Sequence, residues 1–204
     1  MDSKDQRPSS SGDVAVSAVT DLRLEAARAC IRNGKHLLEV ARSIITASPR
    51  IAFHLATLAL EETGKASLLA ISATSVALGR EEPSIVTTAL DDHVRKLFWA
   101  LWGPSIQSER VTVEQIESLR GMARHIHETR LRGLYVDVSS DGVIAFEAAV
   151  APADAELLVG MAAARLDLEA PAGLHRFRSK ARSRRKTLEQ CAAVAGCNDV
   201  VRVA

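Results

Sequence analysis

The sequence predicts an all-α protein, a bundle of about five helices with a short β-hairpin inserted near residues 134–146 and a basic C-terminal tail. Three observations lead there. Apolar and small residues recur at spacings of three and four along most of the chain. Proline, glycine and capping residues punctuate that pattern at helix-length intervals. Only the segment around Asp141-Gly142 carries hairpin turn chemistry between two short apolar runs.

The chain has 204 residues, 47% hydrophobic and 25% charged, enough for one domain with a sizeable core. Lysine plus arginine total 26 against 25 acidic residues, a formal net charge of +1. So even a balance argues against a polyanion-coating protein. Aromatics make up 3% with a single tyrosine, too few for an aromatic sheet on which nucleic-acid bases stack. No apolar run reaches the ~18–20 residues of a membrane span, and the N-terminus lacks the apolar core of a signal peptide. Cys30, Cys191 and Cys197 form no CxxC pair and no zinc spacing. These features predict a cytoplasmic protein in three parts: a disordered leader over 1–16, a helical domain over 17–170, and a partly flexible basic tail over 171–204.

The first helix is expected over 20–46, with Ala27, Cys30, Gly34, Leu37, Ala41 and Ile44 on one stripe; its small members invite close approach by another helix. Ser48-Pro49 stops it and starts a second helix, since serine caps and proline suits the first helical position. The stripe chosen for that helix is Ile51, Leu55, Leu58, Glu62, Lys65 and Leu69, which places two charges where the period asks for apolar residues. Gly79 ends it. A third helix is expected from Pro83 to about Trp102, with Val86, Ala89, His93, Leu97 and Ala100 inward and Lys96 on nearly the same side. Gly103-Pro104 breaks the chain. Thr112 and Gln115 then have capping-box spacing ahead of Ile116, Leu119, Ala123 and Ile126, and Gly133 marks a stop. A last, alanine-rich helix runs from Pro152 to about Leu168.

Charges on inward stripes are candidates for chemistry, because buried charges are rare unless paired or functional. Glu62, His93 and Lys96 are the expected catalytic set, with Glu61, Lys65 and Arg95 supporting. Histidine or glutamate would move a proton on a phosphodiester while lysine stabilises charge on phosphorus. The competing explanations are a solvated Glu–Lys pair on a helix face and a core histidine. Arg120 with His125, and Arg120 with His127, match an Arg-x4–6-His spacing, although such spacings arise by chance at this arginine content. Seven basic residues between Arg176 and Lys186, with no acidic one, would contact phosphates non-specifically. No glycine-rich phosphate loop occurs, so neither a nucleotide cofactor nor a metal is expected.

The order of these pieces resembles the AbiV family of abortive-infection proteins, a branch of the HEPN superfamily. The resemblance rests on Cys30-Ile31-Arg32-Asn33-Gly34 with Leu37-Leu38 and Ala41, then Ala56 to Leu60 with Glu61-Glu62-Thr63-Gly64-Lys65. His93 with Lys96 follows, and then Gly133-Leu134-Tyr135-Val136-Asp137, so that residues 24–168 are covered. It implies a helical HEPN bundle, usually a homodimer, acting against phage by shutting down translation. Its partners would be RNA, the translation machinery or a phage protein, with no membrane. Many HEPN proteins are metal-independent ribonucleases that use an Arg-x4–6-His pair, here Arg120 and His125. Tyr135 and Asp137 enter the candidate site on the same resemblance. The sequence departs from the family where Asp91-Asp92 precede His93. The alternative is a non-catalytic helical protein that blocks translation by binding a ribosomal, RNA or phage protein partner.

Overall fold

The structure, a computed structural model, describes residues 11–81, 86, 89–102, 112–135, 137–139, 142–144 and 149–168. The basic tail, Cys191, Cys197, Pro83, Gly103-Pro104 and residues 1–10 of the expected leader lie outside the described residues. Five helices are described: α1 (Ser11–Ile44), α2 (Pro49–Ala77), α3 (His93–Trp102), α4 (Val113–Leu134) and α5 (Pro152–Leu168). Between α4 and α5, β1 (Asp137–Ser139) pairs antiparallel with β2 (Gly142–Ile144), Val138 opposite Val143.

Helix α2 is the centre of the bundle and packs against all four other helices. Its buried residues are mostly small: Ala52, Ala56, Thr57, Ala59, Thr63, Gly64, Ala66 and Ser67 join Phe53, Leu60 and Leu68. Small side chains let several helices approach one axis, and the larger residues of the neighbours fill the space between. Thr57, Thr63 and Ser67 satisfy their hydroxyls on carbonyls one turn back, at 2.9, 2.9 and 3.2 Å. Ile51, Leu55, Leu58, Glu62, Lys65 and Leu69 are only half-buried. The inward face of α2 is therefore rotated from the stripe expected for it.

Helix α1 buries Ala27, Cys30, Gly34, Leu38 and Ala41 against α2. At Gly34 an added Cβ would stand 3.1 Å from Leu166 Cδ2 and 3.2 Å from the Ala59 carbonyl oxygen, so glycine lets α1, α2 and α5 meet. The helix begins at Ser11, so that residues 11–16, grouped with the leader by composition, are helical. Helix α2 ends as its sequence signals, with Gly79 at φ +66°.

Val86, Ala89 and Leu90 are helical, but Asp91 and Asp92 are not, so the helix expected from Pro83 to Trp102 is interrupted there and α3 begins at His93. Asp92 accepts the Arg95 backbone N–H at 3.0 Å and its carbonyl accepts the Lys96 N–H at 3.0 Å. Aspartate favours caps over helix interiors, so Asp92 opens α3 and His93 becomes its first residue. Phe98, Trp99 and Trp102 form an aromatic cluster with centroids 5.3–6.2 Å apart. Beside it lie Leu68, Val86, Ala89 and Ile116 in a smaller second core. Arg165 of α5, itself buried, donates its Nε–H to the Ala100 carbonyl near the α3 C-terminus, where a cation is favoured. Helix α4 opens with the capping box: Gln115 N–H donates to Thr112 Oγ1 (3.3 Å) and Thr112 N–H to Gln115 Oε1 (3.0 Å). It runs one residue past Gly133, which is buried beneath Val150.

Candidate functional site

One carboxylate organises the site. Glu61 lies mid-way along α2 and is 4% exposed. A buried carboxylate needs charged or hydrogen-bonding partners to offset the loss of water, and two neighbouring helices, α3 and α4, supply them. Arg130 of α4 places a guanidinium nitrogen 2.8 Å from Oε1. Lys96 Nζ lies 3.3 Å from Oε2, and His93 Nδ1 lies 2.7 Å from the same oxygen.

The reach of α3 depends on Gly64, one turn beyond Glu61. A Cβ built there would fall 1.8 Å from the Lys96 carbonyl oxygen and 3.1 Å from the Ala100 nitrogen. The α3 backbone thus runs directly over a bare Cα. His93 and Lys96, three residues apart, point back from that crossing onto the same carboxylate oxygen.

Burial grades through the cluster. The side chains of Glu61 and Arg130 are 6% and 7% exposed, that of Lys96 14%, and that of His93 47%. The carboxylate and its two permanent cations form the floor; His93 stands at the surface with one nitrogen tied down. A carboxylate accepts only, so the Nδ1 that faces Glu61 is the donor of this pair, which leaves Nε2 as the nitrogen available to a ligand. A base oriented by a buried acid group is the arrangement general acid–base sites use.

His127 of α4 stacks on His93, with ring centroids 5.6 Å apart and planes at 17°. Its Nδ1 lies 3.3 Å from a terminal nitrogen of Arg130. Burial, then the charge of Arg130, then that of His93 hold the His127 pKa below the ordinary histidine value, with Glu61 and Asp92 opposing. His54, two turns before Glu61 on α2, is lowered likewise by burial and by Arg130. Among the described residues its buried Nδ1 has no hydrogen-bond partner, and neither does the buried Nε of Arg130.

Of the residues singled out in the sequence, Glu61, His93 and Lys96 come together. Glu62 and Lys65 do not join them: they face α1 beside Cys30. Burial, and then Glu62, push the Cys30 thiol up to about 12, with Lys65 opposing. The carboxylate that meets His93 is therefore one residue before the one expected, because α2 is turned by that amount. Arg95 is exposed and pairs with Asp92 at 3.4 Å. Arg120 lies 3.7 Å from Glu117, and His125 is exposed. Tyr135 is 65% exposed just past the end of α4, and Asp137 begins β1.

The sequence singles out His127 only as the far end of an Arg120 spacing, and Arg130 and His54 not at all. For Arg130 a signal was present: the α4 stripe Ile116, Leu119, Ala123, Ile126 arrives next at residue 130, a cation on an apolar line. Among the described residues no group of three His, Cys, Asp or Glu side chains is arranged to hold a metal. No described helix is long and apolar enough to cross a membrane.

No curated protein and no solved structure matches the chain significantly. A family comparison does: residues 23–167, from α1 through nearly all of α5, match HEPN_AbiV, described as AbiV. The helical bundle, its central Glu-Glu-Thr-Gly-Lys segment and this match agree, and the chain belongs to the HEPN_AbiV family of abortive-infection proteins, with the HEPN type of helical fold.

Proposed function

We propose that the protein is an anti-phage effector that stops translation in the cytoplasm by cutting RNA without a metal, acting as a homodimer. The observation that carries this reading is the exposed His93 anchored through Nδ1 on the buried Glu61, 2.7 Å away. His93 Nε2 takes the proton of a ribose 2′-hydroxyl. The 2′-oxygen attacks the adjacent phosphorus, the bond from phosphorus to the 5′-oxygen breaks, that oxygen leaves with a proton taken from water, and the resulting hydroxide is neutralised by the proton His93 has taken. The products are a 2′,3′-cyclic phosphate and a 5′-hydroxyl. Lys96 and Arg130 set two permanent positive charges against the one carboxylate, which favours the added negative charge of the transition state.

The test is cell-free translation with purified protein, wild type beside His93→Ala, with total RNA followed on a gel. Discrete RNA fragments from wild type alone are the expected result. Arrested translation with intact RNA from both proteins would instead favour a non-catalytic binder of RNA, the ribosome or a phage protein. The basic run from Arg176 to Lys186 is the feature that favours this second reading, and deleting it would then abolish the arrest. Light scattering of the purified protein tests the dimer.

A further inference from the structure

The two stacked histidines of the site are not equivalent. His93 faces a carboxylate through Nδ1 at 2.7 Å, whereas His127 faces a guanidinium nitrogen through Nδ1 at 3.3 Å. A guanidinium donates and never accepts. The Nδ1 of His127 must then offer its lone pair, and the neutral ring carries its one proton on Nε2. For His93 the reverse holds: Nδ1 keeps its proton and Nε2 is free to gain or lose one. The two rings stack 5.6 Å apart, so what binds at one is within reach of the other.

We infer that His127 is a second catalytic residue, a neutral Nε2–H donor that holds a non-bridging oxygen of the RNA phosphodiester while His93 alone carries the proton. This rests on the RNA-cleaving reading and assigns the two histidines different tasks. Protonating His127 would place an N–H against the Arg130 guanidinium and lose the bond between them. The charged groups facing His127 are Arg130 on its own helix, His93 and Asp92 from α3, and Glu61 from α2. Burial, then Arg130 and the neighbouring His93, outweigh the two carboxylates, and its pKa stays below the ordinary value. A neutral imidazole is a poor acid at neutral pH but a good fixed donor, and an oxygen that gains negative charge at the transition state rewards such a donor. The arrangement therefore differs from a pair of histidines that split the acid and base steps.

Single-turnover cleavage of a short RNA across a pH series tests the division of labour. His127→Ala is expected to lower the rate about 100-fold, the effect of removing one oxyanion donor, without moving the shape of the pH profile. His127→Gln, whose amide offers an N–H at similar reach but does not titrate, is expected to recover most of that loss. His93→Gln removes the pH-dependent rate. Loss of one limb of the profile in His127→Ala, or a His127→Gln variant as slow as His127→Ala, overturns the inference.

A second measurement uses the wild-type protein and needs no turnover. Nitrogen-15 NMR of histidine-labelled protein should show His127 as the neutral Nε2–H tautomer at neutral pH. Its Nε2 resonance should shift when a 2′-O-methyl RNA dinucleotide, which cannot be cleaved, is added. If this signature appears and wild type cuts no RNA, the cleavage reading fails while the donor role stands. An Nδ1–H tautomer, a charged ring at neutral pH, or no response to the dinucleotide overturns the donor role whatever the cleavage assay shows.

Discussion

Glu61 and His93 lie 32 residues apart in sequence and 2.7 Å apart in space, one almost wholly buried and the other half-exposed. The same carboxylate also holds Arg130, so its removal has a structural cost beyond the site. Glu61→Gln leaves the buried Arg130 without its counter-charge and should destabilise the fold by about 3 kcal/mol or more. Glu62→Gln, at a half-buried position, should cost no more than about 1 kcal/mol. Urea unfolding of the two variants beside wild type distinguishes these neighbours. Equal losses would mean that Glu61 is not the centre of the cluster.

Glycines separate in the same way. Gly64→Ala drives a methyl group into the α3 backbone, and overpacking against backbone should cost about 3 kcal/mol. Gly121 on α4 has nothing within 4 Å of an added Cβ. Gly121→Ala should stabilise the protein by about 0.5–1 kcal/mol through helix propensity. Thermal melts of both variants report opposite signs if α3 crosses α2 at Gly64.

Stability should fall on mild acidification. His54 and His127 have folded pKa values below the ordinary 6.5, in both cases first because of burial. Unfolding returns each to that ordinary value, so below it the unfolded chain binds more protons than the folded one. The contribution is complete above pH 6.5 and is lost as pH falls through the lowered folded values. Melting temperatures measured between about pH 7.5 and about pH 5.5 should drop, and His127→Gln should drop less. An equal drop in wild type and His127→Gln would remove His127 from the cause.

Cys30 should be inert in the folded protein. Its thiol is buried and its pKa is pushed up to about 12, so almost no thiolate exists near neutrality. In a Cys191→Ser/Cys197→Ser variant, a thiol reagent should label Cys30 only at the rate of unfolding. Rapid labelling without denaturant would show that α1 does not seal this position.

The legible parts of the fold were those governed by local chemistry. The Thr112–Gln115 capping box and the left-handed stop at Gly79 need only neighbouring residues to act, and each occupies its expected place; the α1 stripe from Ala27 to Ala41 does so too, except that Leu38 is buried where Leu37 was expected. The phase of α2 was not legible in the same way. A helix covered on all sides has no single apolar face, and its most buried positions are alanine, threonine, serine and glycine. The larger Ile51, Leu55 and Leu58 drew the stripe toward a half-buried side, and Glu62 was favoured over Glu61 for that reason. His93 and Lys96 were recognised because they interrupt an apolar pattern. Arg130 interrupts the apolar α4 stripe and His127 matches an Arg-x6-His spacing, but that both meet Glu61 and His93 follows only once α4 is laid against α2, which local spacing does not encode.

The cluster also has an order of appearance during synthesis. Its carboxylate comes from α2, His93 and Lys96 from α3, and Arg130 and His127 from α4. A growing chain therefore holds Glu61 long before it holds Arg130, and until α4 has emerged the carboxylate lacks the guanidinium that closes its second oxygen. Any fragment that stops short of residue 130, whether from early termination or from proteolysis, lacks the assembled cluster. The geometry makes synthesis through α4 a precondition for the site.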